Sequence, residues 1–377
     1  MKIAIDMRPL MAGKISGVEV YIESMLKALF EWGRENEYIL WYNAFKPVFF
    51  RFKADQPNVK WKHTRIPNKI LNFCQSLFRW PKADKLIGEK IDILWVPDPR
   101  PAPVSPFCKK IVTFHDLSFE DFRYAFNLKT RLWHKVLRPR KEAEEADKII
   151  AVSEFTKGQL ETEYGIPGEK IRVIYEAASE TIRPLPIPRS FEIIKRKYKL
   201  PERYFLCLST LEPRKNIEGV IRAYIEWQEE TRADVALVIA GKDFPNIFRH
   251  ISVKKHPLII RPGFIDEEDK GLLYQHALAF LYPSFYEGFG LPILEAMRCG
   301  TPVVTSDCAS MPEVAGDAAL LVNPNDHTHL KQALHKMYRD EVYREQLIKK
   351  GYERVKQFSW EKAATGLLQI FHKLAER

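Results

Sequence analysis

Short apolar runs rich in β-branched residues alternate with helix-period segments along all 377 residues, and the pattern restarts near the middle. Such alternation predicts parallel α/β architecture. The predicted strands of the first half are Lys2–Met7, Ile91–Val96, Lys110–His115, Lys148–Val152 and Ile171–Ile174. Those of the second half are Tyr204–Ser209, Val235–Ala240, Leu258–Arg261, Ala279–Tyr282, Pro302–Thr305 and Ala319–Val322. The predicted helices are Val18–Trp32, Ile217–Glu230, Glu267–Ala277, Pro292–Arg298, Thr328–Lys349 and Trp360–Ala375.

A proline-rich segment, Arg183–Pro188, separates the two halves. Its three prolines remove backbone donors and forbid a continuing helix. A chain of this length exceeds one typical hydrophobic core, and about 150 residues per domain suggests two. We therefore predict one α/β domain over residues 1–183 and a second over 184–358. The last helix, within 359–377, carries an apolar stripe that could pack on either half.

Composition excludes several classes of protein. No stretch approaches the roughly 18–20 uncharged apolar residues that a membrane span needs. Asp6 and Arg8 interrupt the first apolar run, which argues against a signal peptide. The five cysteines show neither a C-x-x-C pair nor metal-ligand spacing. A disulfide framework is therefore not expected, and we predict a cytoplasmic protein.

The formal net charge of +10 is unevenly distributed. Residues 41–140 hold 20 Lys and Arg against 8 Asp and Glu, together with many aromatic residues. A basic, aromatic surface suits an anionic partner, such as the headgroups at the inner face of a membrane or a lipid-diphosphate acceptor. The alternatives are a solvated basic face with its aromatic residues turned inward, or nucleic acid. The chain has no recognised nucleic-acid motif, so we predict no nucleic-acid partner.

The segment Ser284–Gly300, SFYEGFGLPILEAMRCG, follows a predicted strand and leads into a helix. Gly288 and Gly290 allow backbone N–H groups to approach a ligand closely. Pro292 is tolerated in the first helical turn, and the helix N-terminus adds partial positive charge and unpaired donors. This combination suits a diphosphate. Glu287 precedes the two glycines, and Glu295 lies about one helical turn inside the helix, so the two carboxylates would point at different parts of one ligand. Carboxylates accept hydrogen bonds, which suits sugar hydroxyls.

This segment resembles the signature of the family 4 retaining glycosyltransferases, a glutamate, seven residues and a second glutamate around Gly-Phe-Gly-Leu-Pro. The resemblance covers nearly the whole chain and is densest over Leu208–Pro324. It implies the GT-B fold, in which two Rossmann-like domains face each other across a cleft and the C-terminal helix crosses back to the first domain. It also implies that Glu287 contacts the donor sugar and Glu295 the ribose hydroxyls. The backbone of Gly288, Phe289, Gly290 and Leu291 would line the sugar and phosphates.

Further residues match the family in both halves. The resemblance assigns Lys215 to the donor phosphates; the family's usual arginine position is Thr210 here, and Arg214 is the candidate replacement. Gly263 and Phe264, at a strand end, would line the nucleotide base or form a plain turn. His115, at the carboxyl end of a predicted strand, would lie beside the donor sugar.

Two assignments in the first half are less specific. Asp116 is either a sugar contact or a helix cap. The loop Gly13–Tyr21 would cover the phosphates, and Gly17 matches the second of two glycines common there, with Ser16 in place of the first.

The resemblance implies a hexosyltransferase that retains configuration, in which a donor phosphate oxygen takes the acceptor proton. Lys215, Arg214 and the helix N-terminus would then stabilise the leaving diphosphate. No Asp-x-Asp motif is present, so we predict neither a metal nor another cofactor. The segment Leu211–Asn216 resembles mannosyltransferases of surface-polysaccharide and lipopolysaccharide assembly, which favours GDP-mannose over UDP-glucose or UDP-N-acetylglucosamine.

The acceptor, a glycan or a lipid-linked glycan, would contact loops within Phe45–Lys90 and Phe119–Arg140. The alternatives are a sugar-nucleotide epimerase, a glycoside phosphorylase and a non-enzymatic nucleotide-sugar-binding module.

Overall fold

The computed structural model describes residues 1–12, 17–122, 130–131, 136–184, 188–242 and 256–376. The chain divides into two compact units, each built on one parallel sheet. The first comprises Met1–Leu117, Leu128–Glu176 and Ser359–Arg377, and the second Ser118–Asn127 and Ala177–Phe358. The change at Ala177 lies upstream of the predicted bound at residue 183. The α/β class with two Rossmann-like parallel sheets is confirmed.

The strands follow the apolar runs of the sequence. In chain order they are β1 (Lys2–Asp6), β2 (Glu37–Asn43), β3 (Val59–Thr64), β4 (Ile93–Val96), β5 (Lys109–Phe114), β6 (Lys148–Ala151), β7 (Ile171–Val173), β8 (Tyr204–Leu208), β9 (Ala236–Ala240), β10 (Ile259–Gly263), β11 (Ala279–Tyr282), β12 (Val303–Ser306) and β13 (Ala319–Val322). The first sheet has the order β3-β2-β1-β4-β5-β6-β7 and the second β10-β9-β8-β11-β12-β13. Central strands are buried on both faces, as expected where helices cover a parallel sheet.

The helices connect these parallel strands. In chain order they are α1 (Gly17–Trp32), α2 (Asn68–Leu77), α3 (Ala83–Ile87), α4 (Ser118–Asp121), α5 (Pro139–Glu145), α6 (Glu154–Tyr164), α7 (Pro188–Tyr198), α8 (Ile217–Thr231), α9 (Lys270–His276), α10 (Leu291–Arg298), α11 (Met311–Ala315), α12 (His327–Arg339), α13 (Glu341–Val355) and α14 (Trp360–Ala375). No helix among the described residues is long and apolar enough to cross a membrane.

The C-terminal helix α14 packs on α1 and belongs to the first unit. Its stripe through Ala364, Leu367 and Phe371 is fully buried. The rings of Trp360 and Tyr21 meet edge to face, with centroids 5.8 Å apart. The family resemblance implies that the C-terminal helix crosses back to the first domain, and α14 packs in the first unit.

Two features of the sequence pattern were misleading. The single predicted helix Thr328–Lys349 is wrong, because Asp340 leaves helical geometry with φ −101° and ψ 86°. Its carboxylate accepts a hydrogen bond from the Tyr343 amide at 2.8 Å and so begins a second helix, α13. Strands β2 and β3 were not predicted. The edge strand β3 has no fully buried residue and mixes lysines with apolar residues, so it lacks the apolar run of a central strand.

Gly241, just after β9, is required by its backbone and its surroundings. Its φ is +139°, and an added Cβ would lie 1.7 Å from the Ser209 carbonyl oxygen. We expect Gly241→Ala to lower the free energy of unfolding by roughly 2–4 kcal/mol, because both the dihedral and the neighbouring backbone must shift. Gly158→Ala, within helix α6 and with open space around it, is the control and should be neutral or stabilise by about 0.5–1 kcal/mol. Urea unfolding of both variants tests this, and equal stability would contradict it.

Candidate functional site

The centre of the second sheet is a topological switch point. Strands β8 and β11 are hydrogen-bonded neighbours, with β9 and β10 on one side and β12 and β13 on the other. The loops that leave their carboxyl ends therefore diverge from a common crevice, where open α/β sheets bind ligands. One loop holds the 3₁₀ turn Pro213–Lys215, and the other begins the segment Ser284–Gly290. The Phe285 amide donates to the Arg214 carbonyl at 2.8 Å, which ties the two loops together.

Glu287 joins the two predicted phosphate-binding cations. Its Oε1 accepts a hydrogen bond from Lys215 Nζ at 2.6 Å. Its Oε2 accepts one from an Arg214 terminal nitrogen at 2.9 Å. Glu287 and Lys215 are 5% and 7% exposed, so this ion pair is almost wholly desolvated. The structure thus brings Glu287 together with two adjacent cations that lie more than 70 positions earlier in the sequence.

Two further residues complete this cluster and were given no role from the sequence. Glu212 Oε1 lies 2.7 Å from Arg214 Nε and 3.9 Å from Lys215 Nζ. The Tyr282 hydroxyl accepts a hydrogen bond from Lys215 Nζ at 2.8 Å. Tyr282 is the last residue of β11, and Glu212 lies in the loop after β8. Their position at the carboxyl ends of two central strands is the signal that could have identified them.

Burial and neighbouring charges act in opposite directions on the ionisable groups of this cluster. Burial alone would raise the pKa of Glu287, but the charges of Lys215 and Arg214 outweigh it and lower that pKa to about 2. Burial and the charge of Arg214 together lower the pKa of Lys215, against the opposing effect of Glu287. Glu287 is consequently a stable carboxylate at any physiological pH. Arg214 and Lys215 are already paired with the carboxylates of Glu212 and Glu287. An anionic ligand can therefore bind here only if these two cations contact the ligand and the carboxylates at the same time.

The glycine loop after Glu287 is held by a specific backbone conformation. Gly290, directly before α10, has φ 108°, a value that L-residues with a side chain rarely adopt. The Ser310 hydroxyl donates to the carbonyls of Glu287 at 2.9 Å and Phe289 at 2.7 Å. Helix α10 begins at Leu291 with Pro292 in its first turn, so the partial positive charge of its N-terminus lies next to this loop.

Glu295, inside α10, lies in a separate environment. It is buried and accepts a hydrogen bond from the Tyr274 hydroxyl at 3.0 Å. Burial raises its pKa, against the opposing charge of Lys270. Tyr274 on α9, like Glu212 and Tyr282, was given no role from the sequence, and its hydroxyl fixes one of the two oxygens of Glu295.

His115 belongs to the first unit, at the carboxyl end of β5. Its Nδ1 lies 3.0 Å from Glu176 Oε1 and its Nε2 lies 2.9 Å from the Pro97 carbonyl oxygen. Burial disfavours the imidazolium, but the hydrogen bond and charge of Glu176, with smaller effects of Asp98 and Pro97, raise the pKa of His115 above its ordinary value. Both ring nitrogens face acceptors, which suits the doubly protonated ring. Glu176, just beyond the end of β7, had been assigned no role.

The structure gives the positions of the remaining predicted residues, and their predicted roles stay predictions. Gly263 ends β10 with φ +81°, and Phe264 after it is 51% exposed. Asp116 follows His115 and is partly buried, and Gly17 is the exposed first residue of α1. Residues 13–16 of the predicted phosphate loop, and 123–129 and 132–135 of the second predicted acceptor segment, lie outside the described residues. Within the described ranges, no group of three or more His, Cys, Asp or Glu side chains could hold a metal ion.

Comparison with known proteins identifies both units. The model of the family described as glycosyl transferases group 1 matches residues 190–354, and that of glycosyltransferase family 4 matches residues 15–178. The O-antigen chain mannosyltransferase B of Escherichia coli is 35% identical over 272 residues, which is 71% of this chain and 71% of that protein. The serotype-specific mannosyltransferase WbdA of Escherichia coli is 32% identical over 62% of this chain, a match that spans 30% of WbdA.

A solved structure with a similar fold is the sucrose-phosphate synthase of Thermosynechococcus elongatus. It superposes with a TM-score of 0.72 at 20% identity and covers 99% of both chains. The two family models together cover most of the chain, and the identity to mannosyltransferase B extends over more than two thirds of both proteins. The chain therefore belongs to glycosyltransferase family 4 and is a glycosyltransferase.

Proposed function

We propose that this glycosyltransferase is a retaining enzyme that transfers mannose from GDP-mannose to a glycan or lipid-linked acceptor. The observation that supports this most directly is the buried cluster of Arg214, Lys215 and Glu287 next to the N-terminus of α10. Mannosyl transfer is supported by the similarity to two mannosyltransferases, mannosyltransferase B and WbdA.

The cluster offers what a departing diphosphate needs. Arg214 and Lys215 supply two fixed positive charges, and the N-terminus of α10 adds the partial positive charge of a helix start. Each oxygen of Glu287 accepts a hydrogen bond from one cation. A carboxylate oxygen has a second lone pair, which can accept a hydrogen bond from a sugar hydroxyl. Glu295, with one oxygen fixed by Tyr274, has its other oxygen to accept a ribose hydroxyl. The roles that the family resemblance implies are chemically compatible with this geometry.

In the proposed reaction the acceptor oxygen forms a bond to the anomeric carbon while the bond from that carbon to the diphosphate oxygen breaks. Attack occurs on the face from which the diphosphate leaves, so the configuration is retained. A phosphate oxygen takes the acceptor proton, and GDP carries it away. Lys215 and Arg214 stabilise the negative charge that develops on the diphosphate. We expect the reaction to need no metal ion because these two residues supply the positive charge.

A thermal-shift panel tests the donor and the metal requirement. GDP, UDP, ADP and TDP, with their sugar conjugates, are compared with and without EDTA. We expect GDP and GDP-mannose to raise the unfolding midpoint by several degrees, since ligand at 100 times its Kd stabilises by about 2.7 kcal/mol. EDTA should leave the shift unchanged. Stabilisation by UDP compounds alone would contradict the donor, and loss of the shift in EDTA would contradict metal independence.

The configuration and the reaction type need a separate measurement. Transfer of ¹³C-labelled mannose to a glycan acceptor, followed by NMR of the anomeric carbon, should give the α-linked product from the α-linked donor. A β-linked product would contradict retention. An epimerase would convert the donor with no acceptor present, a phosphorylase would need inorganic phosphate, and a binding module would show the thermal shift without any product.

A cytoplasmic location is part of the same proposal. The five cysteines are all free, which is compatible with a reducing compartment.

A further inference from the structure

Helix α2 has its polar and apolar faces reversed relative to an ordinary surface helix. The residues it buries are Leu71, Gln75 and Ser76, two of which are polar. The residues it exposes include Ile70, Phe73 and Leu77, which are 57%, 52% and 54% exposed. Their spacing of three and four residues places them on one face. A surface helix normally turns such a face towards the core.

The buried polar face holds α2 in this orientation. Gln75 accepts a hydrogen bond from Arg8 at 3.2 Å and donates one to the Pro81 carbonyl at 2.9 Å. Ser76 donates to the Val136 carbonyl and, through its own carbonyl, accepts from Arg138 at 3.2 Å. Rolling the helix to bury its apolar residues would break these bonds of two buried polar side chains. The exposed apolar face is therefore a fixed feature of the fold.

Two aromatic residues extend this surface beyond the end of the helix. Phe78 and Trp80 are 65% and 68% exposed, and the ring centroids of Phe73 and Phe78 are 6.2 Å apart. We call Ile70, Phe73, Leu77, Phe78 and Trp80 the α2 face. The aromatic residues of this basic region thus point outward here, which disagrees with a solvated basic face whose aromatic residues turn inward.

Basic residues flank the α2 face in sequence. Arg65, Lys69 and Lys85 are exposed. The one acidic residue between positions 56 and 88 is Asp84, which is buried and bonded to Ser105. An apolar surface with a cationic rim is complementary to an anionic bilayer, where acyl chains accept the apolar residues and phosphates accept the cations. A second copy of this chain would instead bring like charges together.

We propose that the α2 face inserts into the headgroup and acyl boundary of an anionic bilayer, with Arg65, Lys69 and Lys85 on lipid phosphates. Phe and Trp are suited to this boundary, and a basic rim adds salt-sensitive attraction. This docking goes beyond the proposed transfer reaction and does not depend on the identity of the donor. It would hold the first unit at a surface where a lipid-carried acceptor is found.

Co-sedimentation with vesicles tests this surface. Vesicles of phosphatidylcholine with about one third phosphatidylglycerol are compared with pure phosphatidylcholine, at low salt and at about 0.5 M salt. We expect the wild-type chain to bind the anionic vesicles and to lose most of this binding at high salt. The triple variant Ile70→Ser, Phe73→Ser, Leu77→Ser should bind at least about tenfold more weakly. The double variant Arg65→Glu, Lys69→Glu should also bind at least about tenfold more weakly.

Matched controls separate this effect from a general loss of surface hydrophobicity or charge. Ile193 and Val342, in the second unit, are 67% and 65% exposed. The double variant Ile193→Ser, Val342→Ser should bind vesicles like the wild type, and so should Lys349→Glu. Unchanged thermal midpoints and an unchanged nucleotide-induced shift show that each variant is folded, independently of vesicle binding.

Three results would overturn the proposal. The first is a wild-type chain that does not bind anionic vesicles at low salt. The second is a triple serine variant that binds as well as the wild type. The third is light scattering that shows a wild-type dimer and a monomeric triple variant, with no vesicle binding by either, which would identify a second copy of the chain as the occupant.

Discussion

Glu287→Gln is expected to lower kcat/KM for sugar transfer by about 10²–10³-fold, because the amide keeps the shape of the side chain but removes its charge. The carboxylate holds Lys215 at 2.6 Å and Arg214 at 2.9 Å, and it is the proposed acceptor for a donor-sugar hydroxyl. Without it, the two cations are left with the single carboxylate of Glu212 in a desolvated loop. Steady-state kinetics with the donor identified in the nucleotide panel measures the effect. Activity close to that of the wild type would contradict the proposed role.

The same substitution has a stability signature that depends on pH. The folded-state pKa of Glu287 is about 2, below the ordinary 4.5. The ionised pair therefore contributes its full stabilisation above about pH 4.5, of the order of 3 kcal/mol, and loses it as pH falls towards 2. The free energy of unfolding of wild type minus variant should shrink across that window. A difference that stays constant between these pH values would contradict the ion pair.

Glu212→Gln is the matched control for both measurements. Glu212 is also buried and also contacts Arg214 and Lys215, but it is not proposed to touch the sugar. We expect a comparable loss of stability and a smaller loss of kcat/KM. Equal losses of activity in the two variants would mean that Glu287 acts only by pairing with Arg214 and Lys215 and does not contact the sugar.

Lys215→Ala should weaken nucleotide-diphosphate binding and lower kcat together, each by about 10²-fold. The lysine is the buried cation of the site, and alanine removes charge that the leaving diphosphate needs. Affinity for the nucleotide diphosphate is measured by calorimetry and kcat under donor saturation. Lys331→Ala removes a surface lysine that is paired with Glu230 in the same unit, and it should leave both values unchanged. An unchanged rate in Lys215→Ala would remove Lys215 from the site.

The signature residues of the site could be predicted because their spacing is local. The interval from Glu287 to Glu295 and the glycines between them specify a loop before a helix, whatever the rest of the chain does. Glu212 and Tyr282 carry no such local pattern. They acquire a role only because β8 and β11 are neighbours, so that the loops after two distant strands share one crevice.

The pairing of His115 with Glu176 shows the same limit. The sequence indicated a histidine at the end of a strand, and the resemblance placed it beside a sugar. That both of its ring nitrogens already face acceptors follows from the packing of β7 and of the loop after β4 in the same sheet. Neither neighbour is close to His115 in sequence.

By itself the sequence determined the α/β class, the central strands, the family and the glutamate-glycine loop, since apolar periodicity and motif spacing are properties of short segments. The tertiary structure alone decided the break at Asp340, the strands β2 and β3 at one side of the first sheet, and the partners of Lys215. It also decided the outward apolar face of α2, because the buried hydrogen bonds of Gln75 and Ser76 outweigh the tendency of an amphipathic helix to turn that face inward. Apart from the local cap at Asp340, each of these depends on contacts with other parts of the chain, and helical or strand periodicity does not encode such contacts.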